Sequence, residues 1–309
     1  MVVNVQRLPY RRLRFSKETR RNLKAGLLFI SPWLLGFIMF TLYPVIASFY
    51  YSFTSYDVLT PPKWVGFSNY AQLFTKDNLF WKSLYNTFYY TIFSVPLSMV
   101  FGIALAALLN MKVKGMAVYR TIYYLPTIVP VVASSVLWMW MLDPQIGIIN
   151  GILQSLGIPG PGWLIDPKWS KPALIMMSLW GVGGSMLIYL AGMQDVPQEL
   201  YESVEIDGGV WWHKFRYITL PMISPVIFFN LIMGMIGAFQ YFTQAYVMTQ
   251  GGPMDSTLFY SLYLFNNAFR YMHMGYASAL AWILFVIILI ATLIVFNSSA
   301  RWVYYGGAR

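Results

Sequence analysis

The sequence predicts an all-α polytopic membrane protein with six transmembrane helices, and three observations carry that prediction. The 309 residues are 58% hydrophobic and only 10% charged. A soluble domain is about 25% charged, because water must wet its surface. Mean hydropathy is +0.56. The charged residues are also confined to the intervals between six long apolar stretches, and Lys and Arg are shared unequally between alternate intervals.

The uncharged stretches run from Ala25 to Tyr56, Ser83 to Met111, Thr121 to Leu142, Pro172 to Gln194, Tyr217 to Met254 and Tyr271 to Ala300. Each exceeds the roughly 20 residues that a helix needs to cross about 30 Å of hydrocarbon. One charge at a helix centre costs about 2.5–3.5 kcal/mol on insertion, so six clean windows fit lipid better than a soluble core. The spans are placed at approximately 27–53, 84–110, 121–142, 172–194, 222–248 and 276–298, within one six-helix transmembrane domain over 25–300. A basic tail (1–24) and a short tail (301–309) flank it.

With the N-terminus inside, the cytoplasmic pieces hold 15 Lys and Arg residues and the external pieces hold 6. That positive-inside bias puts both termini in the cytoplasm. Arg7, Arg11, Arg12, Arg14, Lys17, Arg20, Arg21 and Lys24 supply much of it, as a topology signal or as a contact with anionic lipid.

Within the spans, Pro44, Pro96, Pro126, Pro130 and Pro225 are expected to kink or bound helices. Between Asp143 and Lys171, five glycines and four prolines read as a connector rather than a folded module. The loop from Asp195 to Arg216 differs from the other cytoplasmic pieces. It carries Asp195, Glu199, Glu202, Glu205 and Asp207 against two cations. Asp195-Val196-Pro197-Gln198 has the form of a helix start with Asp195 as cap, and Gly208-Gly209 that of a helix end near Ile206. Helical spacing puts Glu199, Glu202 and Glu205 on one face and Leu200, Tyr201 and Val204 on another. A second short helix is expected from Trp211 to Ile218, ended by Pro221. The loop is either a solvated amphipathic turn or an acidic, aromatic plug for a socket on another protein, and Trp211 and Trp212 favour the plug.

Several chemistries are excluded. There is no Cys, so disulfides, thiol nucleophiles and cysteine-bound metals are absent. His213 and His273 lie far apart, and no metal site is expected. No Gly-Lys pair occurs, which removes the phosphate-cradling loop, so no nucleotide cofactor is expected on this chain. Gly181-Val182-Gly183-Gly184-Ser185 lies in a span and suits close helix packing. No nucleophile turn or His-Glu-x-x-His pair is present, and no catalytic residue is assigned. The spans hold no Asp or Glu, so energy for uphill transport would enter from outside the chain. Phe239, Gln240, Tyr241 and Gln244 in the fifth span combine amides with aromatic faces, as a neutral sugar requires. The two Gln would lie one helical turn apart, and their alternative role is to bond neighbouring helices.

The loop reads ELYESVEIDGGVWWHKFRYITLP and resembles the cytoplasmic signature of binding-protein-dependent ABC importer permeases. That signature opens on Glu-Ala-Ala, places a Gly four residues after the second Ala and closes on Ile-x-Leu-Pro. The matching residues are Glu202, Gly208 and Ile218-Thr219-Leu220-Pro221, with Ser203 and Val204 in place of the alanines. Further segments are similar to the sugar-permease branch, in its six-helix oligosaccharide or glycerol-phosphate type without a large external insertion. They include Pro32-Trp33-Leu34-Leu35-Gly36, Tyr43-Pro44, Phe67-Ser68-Asn69-Tyr70, Asn86-Thr87 and Arg120-Thr121-Ile122-Tyr123-Tyr124-Leu125-Pro126. Gly147-Ile148-Ile149-Asn150, Thr249-Gln250-Gly251-Gly252-Pro253, Ala268-Phe269 and Gly275-Tyr276-Ala277-Ser278-Ala279 follow.

The resemblance implies a type I ABC importer permease fold in a bacterial inner membrane. It implies a second homologous permease as partner, two copies of an ABC ATPase that carry ATP and Mg, an extracytoplasmic solute-binding protein and a carbohydrate substrate. No nucleic acid is expected as a partner. Glu199, Glu202, Asp207, Gly208, Ile218, Leu220 and Pro221 would form the ATPase-coupling contact. Phe239, Gln240, Tyr241 and Gln244 would line the substrate pathway. The alternative is a self-sufficient secondary transporter or channel for a small polar solute. It calls for intramembrane charge or a related pair of broken helices, and the sequence displays neither.

Overall fold

Proline and glycine stand at two of the bends in the apolar helices, Pro130 and Gly181, whereas Pro96, expected to kink or bound a helix, lies inside one helix (Asn78–Leu109). The computed structural model describes residues 17–111, 113–304 and 306, so Arg7, Arg11, Arg12, Arg14, Lys112 and Arg309 lie outside the described residues. The described chain divides into a first unit ending at Tyr50 and a second beginning at Tyr51. In the first unit α1 (Lys17–Phe37) passes through a π turn at Ile38–Leu42 into α2 (Tyr43–Ser52), whose last two residues belong to the second unit. Pro44 has no N–H to offer the Phe40 carbonyl, and the widened turn is centred on Phe40. Side chains such as Phe29 and Phe40 are exposed along this apolar helix.

In the second unit β1 (Thr54–Ser55) pairs antiparallel with β2 (Lys63–Trp64), followed by α3 (Ser68–Thr75) and the long α4 (Asn78–Leu109). Then come α5 (Met116–Ile128), α6 (Val131–Met141), α7 (Ile148–Ser155), α8 (Ser170–Trp180) and α9 (Gly183–Gln194). The loop region contributes α10 (Gln198–Ile206), α11 (Trp211–Lys214) and α12 (Leu220–Met222). The chain continues as α13 (Ser224–Phe239), α14 (Thr243–Met248), α15 (Tyr260–Phe265) and α16 (Met274–Ser299).

Four helical segments, Lys17–Ser52, Asn78–Leu109, Ser224–Met248 and Met274–Ser299, are long and apolar enough to cross a membrane. The number rises to six if each of two bent pairs is one span. The expected third span is the pair α5–α6, bent by 99°. Its bend follows from Val129-Pro130: a residue before proline avoids helical dihedrals, and Val129 is extended (φ −68°, ψ 128°). The fourth is α8–α9, bent by 48° at Gly181-Val182. There the glycines let helices touch, because a Cβ on Gly183 would lie 2.4 Å from the Tyr123 carbonyl oxygen. The fifth breaks between α13 and α14, where Phe242 leaves helical geometry (φ −138°, ψ −61°). Broken helices, which the sequence does not display, are therefore a feature of the membrane region.

α4 is the hub of the second unit, packed against α8, α9, α13 and α15. Two apolar clusters divide along it. One gathers Phe80, Tyr90 and Val95 with Leu174, Phe239, Phe259 and Tyr260. The other gathers Leu105, Ala106 and Leu109 with Met186, Tyr189, Leu190 and Ile223.

The Asp143–Lys171 stretch is more ordered than its composition suggests. Asp143 accepts the N–H groups of Gln145 and Ile146 at 2.8 and 3.0 Å, and those bonds, Ile146 first, hold its carboxyl below the usual carboxylate value. Asn150 donates to the Pro144 and Pro161 carbonyls at 3.2 and 3.1 Å and accepts from Trp163 Nε1 at 2.7 Å. This buried amide ties the segment together while Ile149, Trp163 and Leu164 pack it onto the first apolar cluster. Asn150→Ala leaves these partners unpaired, at a cost of about 1–3 kcal/mol. Limited proteolysis within 143–167 should accelerate in the variant while overall helicity is kept; an unchanged cleavage rate would contradict this role for Asn150.

Candidate functional site

The acidic loop is built from two helical legs joined by glycines. The first leg, α10, starts after Pro197 with no side-chain cap. Asp195 instead closes α9, its N–H bonded to the Ala191 carbonyl. This corrects the expectation of Asp195 as the cap: helical dihedrals extend through Asp195, and Pro197 fixes the new start by lacking an N–H that the first turn could not use. α10 does end at Ile206. Gly208 adopts φ +77°, its N–H meets the Glu205 carbonyl at 3.0 Å, and the Gly209 N–H meets the Val204 carbonyl at 2.8 Å. That pair of bonds is the Schellman closure. A Cβ on Gly209 would lie 2.4 Å from Val204 Cγ1 and 2.9 Å from its carbonyl oxygen, so only glycine fits at that second position.

The second leg runs further than expected. α11 enters a π turn at Phe215–Thr219 and continues as α12 through Pro221 to Met222. Pro221 therefore does not end the helix. The carbonyl that it cannot serve belongs to Tyr217, at the centre of the widened turn, and Thr219 Oγ1 donates to the Lys214 carbonyl at 3.3 Å.

The legs are tied together and to the spans. Lys214 pairs with Glu205, and the Tyr201 and Thr219 hydroxyls share a hydrogen bond at 3.1 Å. Leu200, Tyr201, Phe215, Ile218 and Leu220 pack on the cluster formed by the ends of α4 and α9. The other surface faces outward. Glu199, Glu202 and Asp207 are exposed beside Trp211 and Trp212, and Ile206 is 87% exposed. Trp211 stacks on Phe215 at 5.4 Å, which holds the aromatic edge in place. The loop thus presents bare aromatic and apolar groups together with carboxylates.

A second feature is a cavity of about 420 Å³ between the two apolar clusters. Tyr90, Ser94 and Ser98 line it from α4, with Ser178, Tyr241 and Gln244 opposite. The Tyr90 and Tyr241 rings lie 4.2 Å apart. Of the four residues that the sequence singled out, Tyr241 and Gln244 line this cavity. Phe239 is buried in the core, edge-on to Phe88 at 5.2 Å, and Gln240 is exposed at the α13–α14 break. That break is why the two Gln do not stack along one helical face. The α4 contribution was missed, although Tyr90, Ser94 and Ser98 recur at four-residue spacing, the signal of one helix face.

At the far end of α4, Asn86 is almost fully buried. Its amide donates to the Asp255 and Leu258 carbonyls at 2.8 and 3.1 Å and accepts from Lys171 Nζ at 2.9 Å. Thr87 accepts the Tyr260 N–H at 2.8 Å. The Asn86-Thr87 pair thus fastens the 255–260 segment to the hub helix.

The second unit thus combines bent apolar helices with an acidic loop packed on two of them. Residues 78–304 match the family described as binding-protein-dependent transport system inner membrane component, and the chain belongs to that family. It is 45% identical over 294 residues, 94% of this chain and 95% of the relative, to the "Probable ABC transporter permease protein YesP" of Bacillus subtilis (strain 168). It is 35% identical over 284 residues, 89% of this chain and 93% of the relative, to the lactose transport system permease protein LacF of Rhizobium radiobacter. Identity to the trehalose/maltose transport system permease protein MalF of Thermococcus litoralis is 34% over 281 residues, 90% and 95% of the two chains. Among solved structures, it is similar to a chain of the bacterial alginate ABC transporter in complex with an alginate pentasaccharide-bound periplasmic protein. The TM-score is 0.80 at 24% identity, covering 92% of this chain and 96% of that one, a likeness of fold. The chain is thus an importer permease, a transport component rather than an enzyme. Family membership, rather than the expected lack of broken helices, decides against a self-sufficient transporter.

The joint between the legs should be sensitive to residue type at Gly208. Asn tolerates its left-handed conformation and Val does not. Hydrogen exchange at residues 204–211 should therefore be fastest in Gly208→Val, intermediate in Gly208→Asn and slowest in the native chain. Equal exchange in all three would show that the closure does not hold the loop.

Proposed function

We propose that this chain is the permease subunit of an ATP-driven, binding-protein-dependent carbohydrate importer, with Glu202 at the contact that couples ATP hydrolysis to transport. The loop's two faces carry the proposal: an exposed acidic and aromatic surface on one side, apolar packing onto α4 and α9 on the other. A partner ATPase that takes Glu199, Glu202, Asp207 and the tryptophans into a socket would move the spans with the loop. Ile218, Leu220 and Pro221 would act from beneath, by joining the second leg to the fifth span. ATP and Mg would bind on two copies of that ATPase. A second homologous permease would complete the pathway, and a solute-binding protein would deliver substrate to the other membrane face.

The carbohydrate assignment has two supports. Relatives of this chain are described as lactose and trehalose/maltose permeases. The central cavity offers serine hydroxyls, Gln244 and the Tyr90–Tyr241 rings, with no charged side chain among the residues that line it. Those are the partners of a neutral polyol rather than of an anion. The 15-to-6 division of Lys and Arg supports a bacterial inner-membrane orientation with both termini in the cytoplasm.

The test is ATP hydrolysis by the reconstituted assembly of this permease, its partner permease, the ATPase and the loaded binding protein. Glu202→Lys should abolish the stimulation by loaded binding protein while membrane insertion stays normal. Full stimulation in the variant would remove Glu202 from the coupling contact.

A further inference from the structure

At the end of the fourth span away from the acidic loop, an apolar groove of about 420 Å³ runs between α4 and α8. Tyr89, Phe93 and Leu97 line it from α4, and Pro172, Ile175 and Met176 from α8. The α4 residues recur every fourth position, so the groove follows the helix axis along the direction of a lipid chain. Phe93 and Leu97 are about half exposed, which leaves the groove open at the side.

Lys171 stands at the mouth of the groove. Its ammonium lies 5.3 Å from the centroids of both Tyr85 and Tyr89, a cation–π arrangement, and donates to the neutral Asn86 side chain at 2.9 Å. The nearby carboxylate of Asp255 lies 3.5 Å from Lys82 instead. Among the described residues, no carboxylate is paired with Lys171. The site therefore combines an un-neutralised cation, a tyrosine pair of the kind found at membrane interfaces and an apolar channel beneath them.

We propose that this groove is a binding site for an anionic phospholipid, with one acyl chain between α4 and α8 and the headgroup phosphate on Lys171. The phosphate would supply the missing counter-charge. Because Lys171 is bonded to Asn86, the lipid would also brace the amide that fastens the 255–260 segment to α4. This site is separate from the acidic loop and the central cavity, so it stands or falls independently of the coupling proposal.

The test uses the assembled transporter in nanodiscs and spin-labelled lipids. The fraction of motionally restricted lipid is measured for phosphatidylglycerol and for phosphatidylcholine. The native assembly should prefer phosphatidylglycerol. Lys171→Gln should lower that preference roughly fivefold, as expected for one basic side chain at a membrane surface. Met176→Trp, which fills the groove and keeps Lys171, should reduce the restricted fraction of both lipids. Lys63→Gln, which removes an exposed cation on β2, should change neither. An unchanged preference in Lys171→Gln would overturn the proposal, as would an unchanged restricted fraction in Met176→Trp. A photo-cross-link from Phe93 to a helix of the partner permease would overturn it as well, because protein would then occupy the groove.

Discussion

The apolar seam beneath the acidic loop is the interaction on which the rest of the structure depends. Leu200, Tyr201, Phe215 and Ile218 pack against a cluster built from Leu105, Leu109, Met186, Leu190 and Met193, the ends of two spans. Full burial of a large apolar side chain is worth about 1.5–3 kcal/mol; these four are half-buried, and together they still hold the loop more firmly than a surface ion pair does. The Lys214–Glu205 pair and the Tyr201–Thr219 bond then fix the angle between the two legs. In the coupling we propose, displacing a loop held in this way would carry α4 and α9 with it. α4 in turn touches α8, α13 and α15 and runs from the loop past the central cavity to the Asn86 fastening.

The prolines of the helical segments have different local outcomes, for identifiable reasons. The π turns before Pro44 and Pro221 are each centred on the carbonyl that the proline leaves without a donor. The helices continue past these prolines because the widened turns absorb the misfit. At Val129-Pro130 no such turn forms, and the chain bends by 99°. The same residue type therefore sits inside one helix, as Pro96 does in α4 without a widened turn, or at a sharp corner, as Pro130 does after the extended Val129.

The existence of several long apolar segments was legible in the sequence, because the bilayer's demand for uncharged stretches is a composition signal; four of them stand as spans by themselves, and six are reached only if each bent pair is one span. The end of α10 at Gly208-Gly209 was legible as well, since a left-handed closing residue selects glycine. The start of α10 was misread: Asp195 has the chemistry of a cap, but whether a residue caps one helix or ends the previous one depends on backbone dihedrals. The fifth-span break at 240–242 lay in a run with neither proline nor glycine, so local residue chemistry did not mark it, and the expected pairing of Gln240 with Gln244 failed with it. The order within 143–171 rests on Asn150, whose partners are 6 to 13 residues away and carry no periodic signature. The cavity's α4 face was present in the sequence as spaced Tyr and Ser residues, but its partners on α8 and α14 follow from helix packing.

The central claim is that loop and spans move as one body. The chain contains no cysteine, so spin labels can be placed at Ser203 on α10 and at Leu108 near the end of α4, both exposed, without background sites in this subunit. Electron–electron distance measurements in the assembled transporter would compare the nucleotide-free and ATP-bound states. The account predicts one unchanged Ser203–Leu108 distribution in both states, while distances from Ser203 to the partner permease shift. A change in the Ser203–Leu108 distance approaching one helical turn, about 5.4 Å, would show that the loop slides on the spans and would contradict it.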